Sequence, residues 1–308
     1  RLPRPKLSPP VRRLLRLMLP GAIGAGVVQI NLLVDIVIAS LLPTGAISFL
    51  YYADRVNQLP LGVVGVAIGT ALLPLLSRQL RSGRDSEANN SMNRAIEIAL
   101  LFTMPGTAAL LVIAHPIVSV LFERGAFTAA TSLATAQALM AYAIGLPAYV
   151  LVKVLAPGFF ARQDTATPVK IAIVCVTINV VLNLTLIQFL AHVGIALATA
   201  ISAWINALLL AYFLHRRGQF QTDVRLRQRI TRILFAALGM ATILWGALSL
   251  LESVYADGQT GRIAVLAVLV LGGMALYFAL ALLFRAAALG DIKSLLARKK
   301  ADDTASSA

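Results

Sequence analysis

Residues 51–77 read YYADRVNQLPLGVVGVAIGTALLPLLS. The second part of this stretch, Leu59 to Leu76, is an apolar run long enough to cross a bilayer, whose ~30 Å core takes about 20 residues. The first part places Asp54, Arg55, Asn57 and Gln58 at the head of that run, with Pro60 just behind them. Ionisable groups at membrane depth are costly, so they face a protein interior or a watery cavity. A helix built this way points to the wall of a cavity rather than a simple anchor.

Composition agrees. Hydrophobic residues make up 59% of the 308, and charged residues only 13%, against about 25% charged in soluble domains. The formal charge of +14 sits in short basic blocks between apolar runs rather than in one stripe, which argues against nucleic acid as a partner. The lone cysteine, Cys175, excludes a disulfide framework within the chain. With Arg1 at its start and no signal peptide, the sequence reads as a fragment whose N-terminal part is missing.

The expected fold is all-α, a polytopic membrane protein of eight transmembrane helices: a six-helix lobe plus a C-terminal helix pair. Residues 1–18 form a basic lead-in with Leu and Arg at helical spacing, as for a short helix on a membrane surface. The lobe covers 19–214, with spans near 19–42, 48–76, 95–114, 134–157, 169–190 and 194–214. A polar loop is expected over 77–94, and a short interfacial helix and turn over 115–131. Pro168 is placed to start the fifth helix. A basic loop over 215–232 leads to the pair at 233–284, and 285–308 is a polar tail.

The charge distribution gives an independent check. With eight crossings, one side collects 23 of the 27 Lys and Arg: six in the lead-in, four over 78–94, Arg162 and Lys170, six over 216–232 and five in the tail. The opposite side has Arg124 and Arg262, and Arg55 and Lys153 lie within spans. The positive-inside rule then puts both termini in the cytoplasm.

No P-loop, G-x-S-x-G, H-E-x-x-H or cysteine pair is present, and His115, His192 and His215 are dispersed. ATP-driven transport and membrane hydrolysis therefore lack their groups, and the chain is read as a non-enzyme. Gly65 and Gly69 form a G-x-x-x-G, the pattern of close helix packing. Arg55 offers a donor fork suited to phosphate; the alternative is an ion pair with Asp54 or with an acid on another helix. Gln58, three residues on, shares its face. Asp35, the stacked pair Asn179 and Asn183, and Thr199 offer a carboxylate, amide oxygens and a hydroxyl, a set that suits a hard cation such as Na⁺; the alternative is interhelical hydrogen bonding. Lys153 either snorkels to the headgroups or meets substrate. Glu123 and Arg124 read as a solvated pair.

Three stretches carry a family likeness: YYADRVNQLPLGVVGVAIGTALLPLLSRQ, LFERGAFTA and VKVLAPGFFARQDTATPVK. They resemble the MurJ (MviN) lipid II flippases of the multidrug/oligosaccharidyl-lipid/polysaccharide exporter superfamily, in order and at plausible spacing. The resemblance implies a second lobe plus the last two of fourteen helices, with the first lobe of the same protein missing. It implies a multi-pass protein of the bacterial inner membrane, embedded in phospholipid, that flips lipid II by alternating access around a cationic cavity. It makes Arg55 the diphosphate contact, with Asp54 beside it and a neutral Gln58 where some members have Glu. It places Asp35, Asn179, Asn183, the Ile195 carbonyl and Thr199 on a sodium site, in which Asn183 replaces an aspartate. Coupling would be to Na⁺ or to the membrane potential. A drug or polysaccharide exporter of the same superfamily and a non-transporting scaffold are the alternative readings.

Overall fold

The computed structural model describes residues 24, 26–27, 29–251, 254–255 and 258–286. The lead-in and nearly all of the tail lie outside them. The helices are α1 (Gln29–Ala39), α2 (Ala46–Arg81), α3 (Asp85–Val112), α4 (Ala114–Phe122), α5 (Ala129–Phe160), α6 (Ala166–Arg216), α7 (Val224–Leu250) and α8 (Gly258–Leu283). No strand occurs among the described residues. Five helices, α3 and α5 to α8, are long and apolar enough to cross a membrane. The eight crossings expected from the sequence take α6 as two and add α1 and α2; length and apolarity establish five. α2 is about 54 Å long at 1.5 Å per residue.

The 51 residues of α6 would form a rod of about 76 Å. Instead the helix doubles back at Ala191, whose φ of 47° and ψ of −128° are non-helical and costly for an L-residue. The returning half packs so tightly that a Cβ on Gly194 would lie 2.6 Å from the Leu186 carbonyl oxygen. Farther along, Ser202 Oγ donates to the Cys175 carbonyl at 2.7 Å. The tight fifth-to-sixth connection expected from sequence is this reversal.

α5 is the central post, packed against α2, α3, α4 and α6. Its closest approach to α6 uses Gly145, where a Cβ would come within 2.9 Å of the Ala200 backbone. Two apolar clusters run along it. One gathers Leu50, Ala53, Leu139, Leu146 and Ile195; the other gathers Leu76, Met92, Val154, Phe159 and Leu214. Pro60 and Pro74 in α2, Pro105 in α3 and Pro147 and Pro157 in α5 all lie inside helices, as bilayer helices with packed neighbours tolerate. On α7 and α8 the outer faces show Trp245 at 70%, Leu250 at 83% and Leu271 at 66% exposure. Side chains this apolar are stable there only against lipid or further protein.

The polar loop expected over 77–94 is mostly helix. α2 continues to Arg81, Ser82 to Arg84 make the turn, with Gly83 at φ +69°, and α3 starts at Asp85. The reason is tertiary: its polar residues hold the chain that enters α7. Asn89 and Asn93 donate to the Gln221 carbonyl at 3.1 and 2.9 Å, and their Oδ1 atoms accept from Gln221 and Asp223 amides. The basic loop expected over 215–232 likewise becomes helix from Val224. Asp223 caps it by accepting from the Leu226 amide at 2.6 Å. Below this seam Glu97, 3% exposed, pairs with Arg94 and Arg229 and with Arg225 at 3.3 Å, while Arg94 also pairs with Asp223.

The connector between α5 and α6 is clamped by Asp164. It accepts from the Thr167 amide at 3.0 Å and hydroxyl at 2.6 Å, and pairs with Arg217 at 2.6 Å. Partial burial would raise its carboxyl, but these donors outweigh it and hold the group below the usual carboxylate range. α6 starts at Ala166, so Pro168 sits inside the first turn rather than opening it. Glu123 and Arg124 are not partners. Glu123 pairs with Arg262 of α8 at 2.9 Å, and Arg124 donates to the Leu121 carbonyl. Of the G-x-x-x-G only Gly65 is closely packed: a Cβ on it would meet the Lys153 side chain of α5 at 2.8 Å, while a Cβ on Gly69 would meet nothing within 4 Å among the described residues.

Two outcomes follow for stability. Gly194→Ala sets a methyl against backbone that cannot rotate away, and overpacking of this kind costs about 1–3 kcal/mol. A lowered Tm of the detergent-solubilised protein checks it. Glu97→Ala leaves three guanidinium groups without their shared carboxylate, a loss on the order of 3 kcal/mol; Glu97→Gln, which keeps the hydrogen-bonding shape, should fall between it and wild type on the same Tm assay.

Candidate functional site

A cavity of about 740 Å³ opens between α1, α2, α5 and α6. Each wall follows from helix phase. On α2, Tyr51, Asp54 and Gln58 recur at three- and four-residue spacing and line it, with Asn57 beside them. On α1, Asn31 and Asp35 are four apart. α5 contributes Tyr142, Tyr149 and Lys153, and the two halves of α6 contribute Asn179 and Thr199. Among the described residues its ionisable lining comprises the carboxyls of Asp35 and Asp54, the Lys153 ammonium, three tyrosines and Cys175.

Arg55, expected inside the cavity, is not among its lining residues. One residue turns a helix by about 100°, so with Asp54 pointing inward Arg55 is carried to the exposed side. It stands at the rim. Its guanidinium lies over the Tyr51 ring at 4.9 Å and donates to Gln58 Oε1 at 3.5 Å. Gln58 in turn donates to Asp54 at 2.5 Å. The amide of Gln58 therefore bridges acid and base, which adjacent positions on a helix keep apart.

The second set does converge. Asn183 donates to Asp35 Oδ1 at 2.6 Å, and Asn31 to Oδ2 at 3.2 Å. Asn183 also donates to Asn179 Oδ1 at 3.0 Å, and Asn179 to Thr199 Oγ1 at 3.4 Å. Thr199 closes on the Ile195 carbonyl at 3.0 Å. With its amide turned by half a rotation, Asn179 instead directs its nitrogen at Asp35 Oδ1, 3.1 Å away. The reversal at Ala191 is what brings Asn179 and Asn183 against Ile195 and Thr199. Asn183 is fully buried, and its Oδ1 has no hydrogen-bond partner. An orphaned buried acceptor beside a carboxylate fits a cation, since unsatisfied buried acceptors are costly. No group of three or more His, Cys, Asp or Glu positioned to hold a metal occurs among the described residues, so any cation here would depend on neutral oxygens.

Several participants were not singled out from sequence. Tyr142, Tyr149 and Asn31 were given no role. Asn57 stood in the opening stretch without a role, yet it is 2% exposed and its Oδ1 is also without a partner. Lys153 turns out to line the cavity, its stem running over Gly65, so a small residue on α2 makes room for the ammonium. The spacing of the tyrosines at i and i+7 was the available signal.

A family model described as "Lipid II flippase MurJ" matches residues 2–266. The chain is 46% identical over 297 residues to the "Probable lipid II flippase MurJ" of Rhizobium meliloti (strain 1021), covering 96% of this chain and 55% of that protein. It is 35% identical over 271 residues to the "Lipid II flippase MurJ" of Burkholderia cenocepacia, covering 88% of this chain and 52% of that one. The chain spans about half the length of the curated relatives it matches. Among solved structures it is similar to "Lipid II flippase MurJ, inward closed conformation", with 27% identity and a TM-score of 0.72 over 89% of this chain and 55% of that chain. An outward-facing multidrug resistance MATE family transporter of the MOP superfamily shares the fold, with 19% identity and a TM-score of 0.60 over 85% of this chain and 62% of that one. The match across most of its length, at up to 46% identity, places this chain in the lipid II flippase MurJ family.

Proposed function

We propose that this chain forms the second lobe and final helix pair of a lipid II flippase, which works by alternating access. The observation that carries the reading is the cavity between α1, α2, α5 and α6, with acids, amides and an ammonium set in its wall, in a chain of this family. The diphosphate-sugar head enters from the cytoplasmic side, where the basic ends of α2, α3 and α7 lie, and leaves toward the opposite leaflet. Arg55 meets the diphosphate at the rim, and Asp54 and Gln58 hold its guanidinium in position. Its exposed side is covered by the first lobe of the same protein, because an uncovered guanidinium at this depth of an apolar helix is costly. The polyprenyl chain stays in lipid along the outer faces of α7 and α8. An exporter of drugs or polysaccharides has only the shared MATE-like fold in its favour.

Asp35, Asn179, Asn183, the Ile195 carbonyl and Thr199 would hold Na⁺. A bound cation would tie α1 to both halves of α6 and so link its occupancy to the cavity's shape. A cation gradient or the membrane potential, about 2.3 kcal/mol per charge per 100 mV, would reset the cycle.

Two measurements test this. Arg55→Ala in the full-length protein should abolish lipid II translocation and rescue of a depletion strain while insertion persists; normal growth on that variant would remove the assignment. For the cation, Tm should be higher in NaCl than in KCl, and Asp35→Asn should erase the difference. Equal values for the wild type in both salts would leave interhelical hydrogen bonding as the role of the cluster.

A further inference from the structure

The cavity wall has the wrong polarity for a diphosphate. Among the described residues its charged side chains are two carboxyls, Asp35 and Asp54, against one ammonium, Lys153, with no arginine in the lining. A phosphate drawn into it would meet like charge in a low-dielectric site. The two cations near α2 are also far apart: Arg55 and Gly65, over which Lys153 lies, are ten residues or about 15 Å along the helix. Between them stand Asn57 and Gln58. Asn57 is 2% exposed, it lines the cavity, and its Oδ1 has no partner in the protein. A half-turn of that amide exchanges the positions of its oxygen and nitrogen. Tyr142 and Tyr149 line the same cavity.

We infer that this wall reads the hydroxyl- and amide-bearing glycan-peptide part of the head group, and that the diphosphate stays outside it at the Arg55 rim. The inference rests on the flippase reading above and adds the division of the ligand between two subsites. Sugar hydroxyls and peptide N–H groups are donors, and the wall supplies acceptors: the Asp54 carboxylate, the Asn57 amide oxygen and the Tyr149 phenol. A cavity of about 740 Å³ lies within the roughly 300–1,000 Å³ of pockets for drug-sized ligands, which is room for a portion of the head group. A site that hydrogen-bonds the donors of its ligand discriminates strongly against ligands lacking them, because buried polar groups such as Asn57 Oδ1 then stay unsatisfied.

The test compares two ligands on the full-length protein in nanodiscs: lipid II, and bare polyprenyl diphosphate with no sugar. Asn57→Leu, close in shape to asparagine, and Tyr149→Phe should each weaken lipid II binding about tenfold, the loss of one well-placed hydrogen bond to a buried group. Binding of polyprenyl diphosphate should stay within about twofold of wild type. Arg55→Ala should weaken both ligands alike. Asn57→Ser serves as the smaller polar variant if Asn57→Leu does not fold. Equal losses for both ligands in the Asn57 and Tyr149 variants, or none for lipid II, would overturn the division. A wild type that binds neither ligand would instead remove the flippase reading, and the inference with it.

Discussion

The contact between the two halves of α6 is the constraint on which the rest of the molecule turns. Gly194 lies against the Leu186 backbone, closer than any side chain permits. That proximity folds 51 residues into a hairpin and so sets Asn179 and Asn183 opposite Ile195 and Thr199. It also turns Ala200 toward Gly145, letting α5 come within backbone contact of the hairpin. α2 and α1 then pack where α5 and α6 leave room, and the cavity is the space they cannot fill. In a bilayer, polar groups in that space have no solvent to retreat to. They are therefore bonded to one another, as around Asp35, or left as acceptors for something that enters, as at Asn57 and Asn183.

The opposite requirement operates at the basic end. There the helices emerge from the apolar core, and charge replaces small-residue packing as the means of attachment. Glu97 gathers Arg94, Arg225 and Arg229, while Asn89 and Asn93 hold the backbone at Gln221 and Asp223. A buried carboxylate with three guanidinium neighbours offsets its desolvation only when every member is present. This cluster fastens α7 to α3, and Arg262 with Glu123 fastens α8 to α4 at the far end. The C-terminal pair is thus pinned at both ends to helices of the bundle, while its outward faces stay apolar.

Much of this was legible before any coordinates. Apolar runs of bilayer length and three long motifs pointed to a polytopic membrane protein and its family. Where the reading went astray, the cause was local. Polar stretches at 77–94 and 215–232 look like loops because polarity is the usual mark of one; here the polar side chains bond across helices, and the helices continue through them. Glu123 and Arg124 are neighbours in sequence, but the carboxylate belongs to Arg262, 139 positions away.

The sequence by itself determined which segments could enter a membrane, since burial of apolar area and the cost of exposed backbone act residue by residue. It also determined that Asp54, Arg55 and Gln58 sit on one helix and that Asp35 would need partners. Only the tertiary structure decided which way each of them points. The phase of α2 against α5 puts Asp54 and Asn57 into the cavity and leaves Arg55 on its rim. The reversal at Ala191 delivers two asparagines to one aspartate from 148 residues away. Helix phase and chain reversal are settled by packing between distant segments, and no local pattern of residues contains them.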